Sequence, residues 1–298
     1  MTRSSQGRSS VRIMSAKRCV ILLLSCLLLA GCTVRFAYNN LDWLVMRWVN
    51  QQISLNDAQD RALRDELAEL IVWHCSEELP RYTQDLIALN RELAEPGFDA
   101  ERLAAFGVRL NEHGTRLTER AVPAFVNLMA SLDDQQVLEL IETLEDSNQD
   151  FIDDYVDIEG DELQRKQVQI MERGLRRFIG RVNPAQRERL VEWAASLEPS
   201  SVQTLEQRLA WQSRLVAALG VRDDDQAFAQ AMDGVLGTEA DWPEDYQALM
   251  MRNRLRSYEM MVDLYALASD RQRQRLHNRL DRFARDFERL SCEPVELP

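Results

Sequence analysis

The chain has 298 residues, with 49 acidic side chains against 36 Lys and Arg, and a formal net charge of −13. That balance disfavours nucleic acid and anionic headgroups as partners, because binding to their phosphates depends on clustered Lys and Arg. Lysine is confined to Lys17 and Lys166, so arginine supplies nearly all the positive charge.

Residues 1–31 carry Arg3, Arg8, Arg12, Lys17 and Arg18 and no acid, followed by an apolar run from Val20 to Ala30. About eleven apolar residues fall short of the roughly 20 that a membrane-spanning helix needs. The run closes on the small pair Ala30-Gly31, so the segment reads as a signal peptide, with Met1 and Met14 both competent starts. Leu29-Ala30-Gly31-Cys32 resembles the lipobox of bacterial lipoproteins. The resemblance implies cleavage before Cys32 and acylation of its thiol, the side-chain nucleophile available at modest pKa. The acyl chains, palmitate among them, would then hold the protein to a bilayer at about 0.8 kcal/mol per buried CH₂. Thr33 after the anchor, by resemblance to enterobacterial lipoproteins, implies the inner leaflet of the outer membrane, facing the periplasm. Without the leader, 31 bases remain against 49 acids, a net charge of −18.

Phe36, Tyr38, Trp43 and Trp48 follow the anchor closely, and aromatic rings with one polar tip suit a membrane interface. A helix over 36–50 puts Leu41, Leu44, Val45 and Trp48 on one face, which contacts the membrane or a partner, or docks on the rest of the protein. Beyond it, apolar residues recur at three- and four-residue spacing: Leu63, Leu67, Leu70 and Ile71, then Leu103, Phe106, Leu110 and Leu117, then Leu249, Leu255, Tyr258, Val262 and Tyr265. No alternating run suggests a strand. Breaks are expected at Pro80, Glu95-Pro96-Gly97, Gly160, Asn183-Pro184, Glu198-Pro199, Gly220, Gly234 to Gly237 and Trp242-Pro243. The expected fold is all-α, an elongated bundle of about ten helices. Its organisation is a leader (1–31), an anchored segment with the aromatic helix (32–50), a first helical unit (51–158) and a second (159–298) packed on the first.

A shift of 136 residues pairs Leu128 with Leu264, Asp134 with Asp270, Gln136 with Gln272, Leu140 with Leu276 and Phe151 with Phe287. The same pattern recurs around Asn56 and Asn183, so four copies read apolar, capping residue, Asp or Pro, any residue, Gln, which suggests a duplicated helical unit. Asn56, Asp133, Asn183 and Ser269 stand where an N-cap accepts a bond from an orphan backbone N–H. Gln59, Gln136, Gln186 and Gln272 stand at N3, where the amide reaches back in a capping box, and Pro184 takes a favoured first-turn place. A well-made helix start used four times explains most of the spacing. The motif also resembles the Leu-Thr-x-x-Gln signature of the Spy and CpxP group of periplasmic helical chaperones, with Asn, Asp or Ser here in place of Thr, and that resemblance implies a cradle for unfolded clients. Over the whole mature chain, Tyr38-Asn39-Asn40-Leu41-Asp42-Trp43-Leu44 and Glu78-Leu79-Pro80-Arg81-Tyr82 resemble a family of Gram-negative lipoproteins without assigned activity. This second resemblance implies fold class and compartment and no catalytic residues.

Cys75 and Cys292 remain beyond the anchor. An oxidising periplasm permits them to pair, closing a loop worth about 4–5 kcal/mol in the chain-entropy model; two free thiols are the alternative. His74 and Glu78 at i,i+4 form half a metal site, and zinc wants three or four ligands. The acidic run from Glu145 to Glu162 lacks the ordered alternation of a calcium loop and reads as a solvated face. No phosphate loop, nucleophile elbow, His-Glu-x-x-His or Cys-x-x-Cys occurs. The expectation is therefore a protein that is not an enzyme, needs no cofactor or metal, and binds polypeptides at the periplasmic membrane surface as a chaperone or adaptor. A structural subunit with one dedicated envelope partner is the alternative, and a hydrolase or metalloenzyme around His74 and Glu78 a distant third.

Overall fold

The computed structural model describes residues 33–292; the leader 1–31, both candidate starts and Cys32 lie outside the described residues. The chain divides into two compact units between Leu41 and Asp42. Described residues of the first form α1 (Thr33–Asn39), after which the Asn40 side-chain amide donates to the Phe36 carbonyl at 2.7 Å. That local bond competes with helix continuation. It divides the single helix expected over 36–50 into α1 and α2 (Leu41–Val49).

The second unit runs through α3 (Asp57–Trp73), α4 (Leu79–Glu92), α5 (Ala100–Ala130), α6 (Asp134–Phe151), α7 (Gly160–Arg176), α8 (Pro184–Ser196), α9 (Ser201–Leu219), α10 (Asp225–Val235), α11 (Glu244–Ala266) and α12 (Asp270–Leu290). No strand occurs among the described residues, so the fold is all-α. No described helix is long and apolar enough to cross a membrane.

Pro80 does not end its helix as expected. Between α3 and α4 the backbone widens into a π-helical turn, His74–Glu78, in which the Leu79 N–H donates to the His74 carbonyl, five residues back. Such a turn accommodates a proline that has no N–H to give to the α ladder. A second π turn, Ile152–Val156, follows α6 and closes with the Asp157 N–H on the Ile152 carbonyl at 2.8 Å. In the acidic run, Lys166 Nζ reaches Asp154 at 2.7 Å and Arg165 reaches Asp161 at 2.6 Å.

Three apolar clusters fill the second unit. One joins Met129, Leu132 and Leu140 to Leu215, Leu219, Phe228 and Met232, from α5, α6, α9 and α10. Another gathers Val168, Leu175, Leu190, Trp193, Met260 and Leu264, from α7, α8 and α11. The third seats Leu280 of α12 on Leu89 and Leu93 of α4 and its end. α12 runs antiparallel to α4: Asn90 donates to Asp281 at 2.5 Å, Thr83 to the Ala284 carbonyl, and the Cys292 N–H to the Cys75 carbonyl at 3.1 Å. α5 and α11 approach closely where the Tyr258 hydroxyl rests over Gly107, in space that any Cβ would occupy.

Candidate functional site

The four glutamines of the repeated helix start meet in two pairs. Each uses its side-chain carbonyl to accept the N–H of its own cap residue at 3.0 Å. Asn56, Asp133, Asn183 and Ser269 return the bond to the N3 backbone. The glutamine N–H groups then bridge motif to motif. Gln59 donates to Gln136 at 2.9 Å and Gln136 to Gln59 at 2.7 Å, and Gln272 donates to Gln186 at 2.9 Å. Gln136 and Gln272 each also donate to the carbonyl two residues before the partner's cap, on Ser54 and Arg181. Gln59 and Gln186 close the exchange on Ser131 and Leu264, at or near the end of the helix preceding the partner motif. All four are buried; the first pair exchanges bonds in both directions, whereas in the second Gln186 gives its N–H to Leu264 and only accepts from Gln272.

Cys75 and Cys292 form a disulfide, with Cα atoms 5.3 Å apart across a sequence separation of 217. Phe36, Trp43 and Trp48 are exposed and Tyr38 is half-buried; the Arg47 guanidinium lies 5.6 Å from the Trp43 ring centre.

The π turn directs Glu78 inward, where it is wholly buried. His74, one turn earlier, is half-buried. The His74 ring lies edge-on to Tyr82, and burial lowers its pKa while the Glu78 charge opposes. Glu78 accepts from Arg81 at 2.5 Å, from Arg116 at 2.7 Å and from His113 Nδ1 at 2.9 Å. The second His113 nitrogen, Nε2, lies 2.7 Å from Asp85, which also receives Arg109 at 2.9 Å. The His113 ring thus lies between two carboxylates, and Arg116 Nη2 also approaches its Nδ1 at 2.5 Å. Burial pushes the Glu78 pKa up, but the bonds from Arg116, His113 and Arg81 outweigh it and bring the carboxyl down to about 2. No group of three or more His, Cys, Asp and Glu able to hold a metal occurs among the described residues. The cluster holds charge in place, and the Tyr82 ring packs edge-on against His113 with ring centres 4.5 Å apart.

Beside it opens a chamber of about 360 Å³. α4 contributes Leu86 and Leu89, with Leu93 and Phe98 after it; α5 contributes Leu103 and Phe106; α7 and its end contribute Leu175, Phe178 and Ile179. Met261, Leu264, Tyr265 and Ala268 from α11 and its end, with Leu276 and Leu280 from α12, close the wall. One charged residue lines it, Arg273. Its Nη2 donates to the Ala266 carbonyl at 3.0 Å and its guanidinium stands 5.7 Å from the Tyr265 ring centre. Its Nε is buried with no hydrogen-bond partner among the described residues. Tyr265 spends its hydroxyl proton on the Leu93 carbonyl at 2.7 Å. A second cavity, with Asp85, His113 and Tyr82 in its lining, shares Leu86 and Phe106 with the chamber, so the polar cluster adjoins the apolar space.

Residues 51–247 match a described family of unknown function, DUF6279. The chain belongs to DUF6279. No curated protein and no solved structure matches it. The DUF6279 span ends inside α11, so Met261 to Leu280, the α11 and α12 wall of the chamber, lies beyond the matched residues.

Of these features, the periodicity placed Leu103 and Phe106 on one stripe, and the motif located all four glutamines. The roles of Asp85, His113 and Arg116 carry no sequence signal, because Glu78 meets His113 and Arg116, and His113 meets Asp85, only where α5 packs against the start of α4. Arg273 was hidden among the many arginines of α12.

Proposed function

We propose that the protein is a non-catalytic binding protein of the cell envelope, held by lipid on Cys32 at the periplasmic face of the outer membrane, whose chamber takes the apolar tail of an amphipathic anion. The observation that carries this reading is the chamber itself: a volume within the usual range for small-molecule sites, apolar walls, and a single guanidinium with an unused buried N–H. Leaving such a donor unsatisfied costs about 1–3 kcal/mol, and a carboxylate or comparable headgroup supplies the acceptor while its chain covers leucine and phenylalanine.

A polypeptide backbone suits this space less well. Its N–H and C=O groups need partners, and the walls offer little beyond Arg273, because Tyr265 is already engaged. The chaperone or adaptor role therefore falls to the surface. Exposed Trp43 and Trp48 on α2 favour, as a second reading, anchorage to one envelope partner or to the bilayer.

The chamber reading is tested by displacing a dansyl-labelled undecanoic acid from the full chain. Palmitate and hexadecanol should both compete saturably, and Arg273→Gln should weaken palmitate about tenfold while leaving hexadecanol unchanged. Absence of saturable binding of either compound overturns the proposal. Incorporation of labelled palmitate that survives Cys32→Ala overturns the anchor.

A further inference from the structure

The chain is acidic overall, yet one cleft is lined by five arginines. Arg271, Arg275, Arg279 and Arg282 recur at spacings of four, four and three along α12, the pattern of one helix face. Arg177, the C-cap of α7, joins them around a space of about 500 Å³. None of the five has an ion-pair partner among the described residues, whereas Arg116, Arg189, Arg222, Arg252 and Arg254 each sit on a carboxylate.

Two of the five make close contacts with the elements around the cleft. Arg275 lies across Gly180, whose φ of +84° and missing Cβ leave the room that its guanidinium occupies. Arg279 stacks over Phe283, with its guanidinium carbon 4.6 Å from the ring centre, and its Nε is buried without a hydrogen-bond partner among the described residues. Burial and the neighbouring Arg282 charge lower the Arg279 pKa, with Asp286 opposing. Like charges gathered in this way repel one another, and a bound anion relieves the cost. Planar guanidinium forks match phosphate oxygens bidentately, and one phosphate carries too little charge to balance five.

We propose that the α7/α12 cleft binds an anion carrying two or more phosphate groups, with Arg275 and Arg279 as its principal contacts. The chemistry is shared by a phosphorylated lipid headgroup and a free polyphosphate, and the two sources are separable. The full chain in neutral detergent is titrated calorimetrically with inorganic tripolyphosphate, and in parallel with neutral micelles doped with cardiolipin. Tripolyphosphate binding at one per chain assigns the free anion; a response to cardiolipin micelles alone assigns the headgroup.

In either case Arg275→Gln combined with Arg279→Gln should weaken binding roughly 10- to 100-fold, Arg279→Lys by less, and Arg252→Gln, whose partner is Glu198, not at all. Displacement of the dansyl probe from the chamber should be unchanged in the double variant, which shows it folded and separates the two sites. No binding of either probe, or wild-type binding by the double variant, overturns the proposal.

Discussion

Glutamine at N3 would be a poor choice if capping were its whole task, since glutamate caps as well and complements the positive helix start. The structure accounts for the amide. Gln186, which is wholly buried, accepts from Asn183 and from Gln272 with its carbonyl and gives its own N–H to Leu264. Gln186→Glu keeps the acceptor, removes the donor and buries a charge, so we expect about 2–4 kcal/mol of lost stability in urea unfolding; an unchanged midpoint would contradict the bridging role. Glu78 shows the converse, a charge that belongs inside. Its pKa falls from 4.5 to about 2 on folding, so its contribution is present in full above about pH 4.5 and is lost as pH drops through the folded value. A shift of that size corresponds to roughly 3 kcal/mol. Glu78→Gln should therefore destabilise the protein at pH 7 by about that amount, and its unfolding free energy should converge on the wild-type value between pH 4.5 and 2. A constant difference across that window would mean that the carboxylate is not held by Arg116, His113 and Arg81.

At the scale of elements, the pairing of α4 with α12 brings together residues some two hundred positions apart, and the Cys75–Cys292 bond closes its far end. Cys75→Ser with Cys292→Ser should lower the thermal midpoint by about 10 °C, from an entropy of roughly 5 kcal/mol spread over a chain of this size; a shift below 2 °C would assign the bond no stabilising part. Helices and their starts were legible from sequence because caps and apolar stripes are local. Asn56, Asp133, Asn183 and Ser269 each begin a helix where their side chains allow it. The π turn before Pro80 was not legible: proline signals a break, and only the packing of Glu78 and Leu79, both buried, keeps the chain in helical course. The chamber was equally hidden, since Leu89, Phe178 and Leu264 come from elements whose pairing no spacing in the sequence records.

For the whole molecule, the two glutamine joints divide the sequence more cleanly than they divide the fold. One joint lies wholly before residue 158 and the other wholly after it, as a duplicated unit requires, yet neither half covers itself. Leu89 and Leu93 of the first half are capped by Leu280 of the second. Met129, Leu132 and Leu140 of the first pack on Leu215, Phe228 and Met232 of the second. A chain of residues 51–158 would expose both faces to water at about 25 cal/mol per Å² of apolar surface while keeping the entropy cost of its own ordered backbone. We expect that fragment to show no cooperative transition by circular dichroism on heating or in urea. Residues 42–298, a single compact unit, should unfold in one step. Independent cooperative melting of 51–158 with native helicity would show that the joint between α3 and α6 suffices to hold a domain, and that the apolar contacts across residue 158 are docking between finished halves instead of one shared core.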